Sequence, residues 1–181
     1  IHLLGSRLRR RTCRTAAVKR AITMDVLFLF EWLDTSFLAT ISKAYGGVFA
    51  VIQMFHLAAL AVLGGMVLAS DLRLLNVLLR DVPAEVVLAN TNRWFDYSLA
   101  LMLVSGVFMA SAVAMKLYYN EMYWAKMAGL FAGMAFVYLV RRPLFRGGLE
   151  GVSPWAVKIT AISSIIVWLT VAACGRWIGF S

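Results

Sequence analysis

Among the polar residues of this sequence, His56 is the one whose type and position point most directly to chemistry. Besides His2 it is the only histidine, it lies about ten residues inside a long apolar segment, and Gln53 precedes it by one turn. Polar groups at such depth face a bundle interior or a cavity, because lipid offers them no partner. An imidazole there can ligate haem iron or copper, relay a proton, or hydrogen-bond a neighbouring helix. Bis-histidine haem ligation is not available within one chain, since no second histidine falls in an apolar segment. One-histidine or His/Met ligation stays open, because Met102 and Met109 share a helical stripe with Ser98 and Ser105.

The charged candidates are Asp71, Arg73, Asp96 and Lys126. Asp71 and Arg73 point to different faces of a helix, so each looks for a partner elsewhere. Asp96 sits one turn inside a second apolar segment, within reach of Arg73 or Arg93, and a relay through Asp96 and His56 is a further alternative. Lys126 opens a third segment and can snorkel to the interface. Asn120, just before that segment, is a capping residue. Cys13 and Cys174 form neither a CxxC pair nor a metal spacing. No Walker, Rossmann, zinc-protease or serine-nucleophile motif stands in an appropriate context.

The elements that must hold these residues follow from composition. Of 181 residues 62% are hydrophobic and 15% charged, which excludes both an ordinary soluble globule and a disordered chain. Four stretches approach the roughly 20 apolar residues a membrane-crossing helix needs: about 46–70, 95–119, 123–140 and 154–174. Arg141-Arg142-Pro143 closes the third, and Ser153-Pro154-Trp155 opens the fourth with a cap, a first-position proline and an interfacial tryptophan. Asn120-Glu121 implies a tight hairpin between the second and third. The run 71–80 reads as an amphipathic extension of the first span, after which Asp81-Val82-Pro83 starts another short helix and Asn92 caps the second span. Trp94, Tyr97, Tyr118, Tyr119, Tyr123, Trp124, Tyr138, Trp155 and Trp177 gather near span ends, where amphipathic rings anchor.

Residues 24–43 differ in kind. Val26, Leu29, Phe30, Leu33, Phe37 and Ile41 share one helical face, and Glu31, Asp34, Thr35 and Ser42 another, which describes an interfacial helix. The expected architecture is therefore all-α: an integral membrane four-helix bundle preceded by an amphipathic interfacial helix, in a single membrane domain covering 24–181. Small-xxx-small spacing at Ala61, Gly65, Ala69 and at Ala125, Gly129, Gly133 permits close helix approach, within the bundle or between copies.

The net charge of +9 is concentrated at the start. Residues 1–23 hold seven basic side chains and no acid, and 24–181 carry only +2. This head reads as a basic arm, a targeting segment, or sequence preceding a natural start at Met24, the last being favoured. No nucleic-acid partner follows from it. With the start at Met24, seven basic residues lie on the side of the 71–93 and 141–158 loops against four on the other. The positive-inside rule then puts the interfacial helix and the C-terminal end outside the cytoplasm; retaining the head reverses the count to eleven against seven.

The stretch Gln53-Met54-Phe55-His56-Leu57-Ala58-Ala59-Leu60-Ala61-Val62-Leu63-Gly64-Gly65, followed by Asp71-Leu72-Arg73-Leu74-Leu75, resembles a family of small bacterial inner-membrane proteins of unknown function with an H-L…G…D-L-R-L-L signature. Ser105-Gly106 and Asn120-x-x-Tyr123-x-x-Lys126 also look like that pattern, so the likeness covers about Val26–Val140. More distantly, a histidine followed by glycine in a first span is similar to copper-resistance protein D and the J-type protoporphyrinogen oxidase. The closer resemblance implies a multi-pass protein of the bacterial cytoplasmic membrane; the distant one implies haem b or copper at His56. The resulting expectation is a non-enzymatic accessory or small-ligand-binding membrane subunit, partnered by the bilayer and by further copies or a membrane complex. A haem- or copper-linked redox protein and a small transporter are the alternatives.

Overall fold

The computed structural model describes residues 24–149 and 151–178, and the basic head lies outside the described residues. Four helices have the length and apolarity to cross a membrane, arranged as a bundle: Gly46–Leu74 (α3), Ala84–Ala112 (α4), Glu121–Phe145 and Pro154–Trp177 (α8). The third is composite, made of α6 (Glu121–Ala135), a π turn (Phe136–Arg141) and α7 (Arg142–Phe145). Helical residues 24–34 (α1) and α2 (Phe37–Ala44) precede the bundle, and α5 (Ala114–Tyr118) joins the second span to the third. At 1.5 Å rise per residue, the 29 residues of α3 and of α4 exceed a hydrocarbon core of about 30 Å, so these helices tilt or project beyond it.

Helix α3 lies against α4, α6 against α8, and α3 also against α8. One core cluster joins all four spans through Ala59, Leu63, Val67, Phe95, Leu99, Met102, Leu130, Val137, Trp168 and Val171. Gly129 and Gly133 make the α6–α8 approach possible: a Cβ at Gly133 would stand 3.2 Å from Val167 Cγ1 and 3.4 Å from the Trp168 ring. In lipid, where burial of apolar surface gives helices little reason to associate, such close packing is a main source of cohesion. The other small-residue stripe behaves differently. Ala61 and Gly65 face outward, and a Cβ at Gly65 would meet nothing within 4 Å.

Several boundaries differ from the sequence reading for identifiable reasons. The interfacial segment is two helices, because Ser36 breaks the first and caps the second by accepting from the Ala39 amide. Its apolar face divides accordingly. Val26, Phe30 and Leu33 pack with Ala114, Leu117 and Ile178, while Leu29 and Phe37 are exposed.

The amphipathic extension over 71–80 does not form. Helix α3 stops at Leu74, and Asn76 and Leu79 take positive φ of 56° and 54°, conformations a helix cannot continue through. Arg73 holds the turn instead, its Nε donating to the Val82 carbonyl at 2.8 Å and its Nη1 to Asn76 Oδ1 at 2.8 Å. No short helix separates this turn from the second span. Pro83 precedes Ala84 directly, Asn92 is interior to α4, and the helix ends at Ala112 rather than near Tyr119. Caps at Asn120, which accepts from the Met122 and Tyr123 amides, and at Ser153, which accepts from Ala156, begin the last two spans.

Candidate functional site

Two of the charged candidates, Asp71 on α3 and Asp96 on α4, are each bound by an arginine where the third span closes. Asp71 is fully buried on α3, and Arg141 Nη2 donates to its Oδ1 at 2.9 Å and to Ser70 Oγ at 2.7 Å. Ser70 can accept because its own proton goes back to the Met66 carbonyl at 2.8 Å. From α8, the Ser164 hydroxyl faces the same carboxylate. Asp71 Oδ2, Ser164 Oγ, Arg141 Nε and Trp168 Nε1 are buried without a hydrogen-bond partner. Asp71 Oδ2, Arg141 Nε and Ser164 Oγ thus gather about one ion pair, while Trp168 lies one turn further along α8, its ring against Gly133 and Phe95. Groups of this kind are the ordinary hosts of internal water.

The next residue, Arg142, reaches a different helix. Its Nη2 donates to Asp96 Oδ1 at 2.6 Å and to the Asn92 carbonyl at 3.3 Å. Tyr138 Oη donates to the same Asp96 oxygen at 2.6 Å, and the guanidinium lies 4.4 Å from the Tyr138 ring centroid. Asp96 therefore pairs with Arg142, not with Arg73 or Arg93. The π turn immediately before Arg142 carries both Tyr138 and Arg141; such turns add a residue to the helical repeat and recur at functional positions. Arg141, Arg142 and Tyr138 were legible in the sequence only as span-end charges and an interfacial ring, because their partners lie 70, 46 and 42 positions away.

Above these pairs opens a cavity of about 560 Å³ lined by Arg141, Arg142, Arg146, Glu85, Asn92 and the turn Gly147-Gly148, with Leu88, Phe145 and Leu149 as apolar wall. Gly148 has φ +88°, which strains other side chains, and it leaves room for Glu85 Oε1, 2.8 Å from where its Cβ would be. Trp94, Tyr97 and Trp155, on α4 and α8, are exposed, the residue types that favour the headgroup region.

The chain belongs to DUF6644, a family of unknown function, whose model matches residues 29–181. No curated protein and no solved structure matches it. DUF6644 membership thus covers the whole bundle, both ion pairs and the cavity.

The remaining candidates lie apart from the cavity. His56, fifteen positions before Asp71 on α3, is roughly 22 Å away along the axis. Its Nδ1 is 2.9 Å from Ser105 Oγ. Because Ser105 commits its proton to the Leu101 carbonyl at 2.6 Å, the network assigns the ring proton to Nδ1 and leaves Nε2 with a lone pair. Gly106 makes room for the ring, a Cβ there standing 3.4 Å from His56 Cε1. Lys126 lays its stem over Gly175, with Cε 3.4 Å from that residue's Cβ position, and its charge acts on His56. Gln53 is exposed on the outer side of α3 and Asn120 serves as a helix cap. Among the described residues no group of three or more His, Cys, Asp or Glu side chains could hold a metal ion. His56 Nε2 fits a single ligand position, and a complete copper donor set is not assembled by these residues.

Proposed function

We propose that this protein is an accessory, small-ligand-binding subunit of the bacterial inner membrane, and that the ligand sits in the arginine-lined cavity. The observation that carries this reading is the convergence of Arg141, Arg142 and Arg146 with Glu85 on one cavity. Arg141 and Arg142 are held in place by Asp71 and Asp96, so the site is formed before a ligand arrives and the ordering cost on binding is small. The resemblance of the His56 and Asp71 segments to small bacterial inner-membrane proteins supports the location. With a start at Met24 the basic loops favour a cavity facing the cytoplasm, and with the basic head retained the count favours the opposite face. Further copies of the chain or a membrane complex are its expected partners.

Native mass spectrometry of the detergent-purified chain tests this. A non-covalent adduct is expected with charged headgroup ligands and is expected to disappear in Arg146→Gln. Protein that stays empty across anionic and zwitterionic ligands would overturn the reading.

A second reading rests on the Nε2 lone pair that the Ser105 contact implies for His56. With Nδ1–H fixed by Ser105, the imidazole presents its other nitrogen as an oriented ligand, which supports haem b or copper with a further donor from another subunit or copy. The group, when bound, would supply one-electron chemistry; this chain would hold and orient it. Reduced and oxidised absorption spectra with metal analysis, for the native chain and His56→Ala, decide the matter. A Soret band lost in the variant is the expected sign, and empty protein from haem- and copper-replete cells sinks the idea.

A further inference from the structure

We infer that the ligand of the cavity is a zwitterion bearing a phosphate and an ammonium, the chemistry of a phosphoethanolamine headgroup. The inference rests on the ligand-binding reading above and extends it through the charge balance of the cavity. Of its three arginines, Arg141 is neutralised by Asp71 at 2.9 Å and Arg142 by Asp96 at 2.6 Å. Among the described residues Arg146 makes no ion pair, and neither does Glu85. Among the described residues the cavity thus presents one cation and one anion without an ion-pair partner, not the net positive field that three arginines alone would produce.

A simple anion would satisfy Arg146 and stand against Glu85, and a simple cation would do the reverse. A molecule carrying both signs satisfies both, with its phosphate on Arg146 and its ammonium on Glu85, and like-charge juxtaposition is avoided. Arginine suits the phosphate end because its planar fork donates two parallel hydrogen bonds to oxygen pairs. The ammonium end gains from the room that Gly148 leaves for Glu85, whose Oε1 lies 2.8 Å from where a Cβ at 148 would stand.

Leu88, Phe145 and Leu149, which pack with Leu74, Val157 and Ala161, give the site an apolar wall. The same phosphate–ammonium chemistry comes from two sources, a phospholipid headgroup or free phosphoethanolamine. Exposed Trp94, Tyr97 and Trp155 on the neighbouring stretches of α4 and α8 favour a headgroup as the source.

The test uses the full chain in detergent micelles and native mass spectrometry with phosphatidylethanolamine, phosphatidylglycerol and soluble phosphoethanolamine. The expected result is that phosphatidylethanolamine binds about tenfold more tightly than phosphatidylglycerol. In Glu85→Gln that preference should vanish while phosphatidylglycerol still binds; in Arg146→Gln both lipids should be lost. Glu85 and Arg146 are exposed, so both variants keep the fold, and a thermal melt of each checks it.

If phosphatidylglycerol binds as well as or better than phosphatidylethanolamine in the native chain, the zwitterion inference fails and the ligand-binding reading survives. If no lipid and no phosphoethanolamine binds, both fail. Soluble phosphoethanolamine binding as tightly as the lipid identifies the free compound as the source, and binding by the lipid alone identifies the headgroup.

Discussion

Asp71 and Arg141 meet at 2.9 Å with 0% and 5% of their side chains exposed, in a protein whose surroundings on most sides are lipid. A pair so enclosed is coupled far more strongly in its breaking than in its making. Asp71→Asn leaves a buried guanidinium without its counter-charge, and a loss of about 3–5 kcal/mol is expected. Replacing both partners, as Asp71→Leu with Arg141→Met, should recover most of that loss. Unfolding in mixed detergent micelles measures both, and a double variant as unstable as the single one would show that the pair itself supplies the stability.

The second pair should behave otherwise. Asp96 keeps 43% of its side chain exposed and Arg142 23%, so water and headgroups screen the interaction. Asp96→Asn is expected to cost less than about 1 kcal/mol by the same measurement. A cost matching that of Asp71→Asn would mean the site is more enclosed than its exposure indicates.

Helix contacts give a third expectation, with an internal control. Gly133→Val drives methyl groups into Val167 and Trp168 and should destabilise the α6–α8 contact by about 1–3 kcal/mol. Gly65→Val, on a position with nothing within 4 Å, should leave bundle stability unchanged. A loss of self-association in the Gly65 variant, read by crosslinking in membranes, would assign that outward stripe to contacts between copies.

The His56–Ser105 contact is a neutral hydrogen bond between two spans. Ser105→Ala should cost about 0.6 kcal/mol in the folded bundle. If a metal or haem depends on His56, the same variant should also change its absorption spectrum by releasing the Nδ1 proton from its acceptor, and an unaltered spectrum in a loaded protein would separate Ser105 from ligand orientation.

The four spans were legible because hydropathy and end signals act locally. Asn120 and Ser153 occupy cap positions within three residues of the amides they serve. What failed to show was anything decided by a partner across the bundle. The helical spacing of Arg73, Asn76 and Arg80 looked like an amphipathic face, yet Arg73 is used to close a turn onto Val82, and tertiary hydrogen bonding overrides the pattern. Asp96 has several cations within plausible reach in sequence, and only the register of α4 against the third span selects Arg142. His56 stood out by rarity and depth, but the assignment of its ring proton needed Ser105 and Leu101 together. Glu85 and Arg146 carried no signal of their own, since their shared cavity exists only once α4 and the turn after α7 are brought side by side.

Arg141 and Arg142 are neighbours in the chain but are fastened to carboxylates on α3 and α4 respectively. Consecutive residues on a helix point about 100° apart, so the end of the third span works as a key cut on two sides. Turning it about its axis to improve one bond must worsen the other. An occupant of the cavity that draws Arg142 toward itself would therefore be felt at Asp71, deep between helices that it never touches, and the two carboxylates report on each other through the rigidity of a single peptide unit.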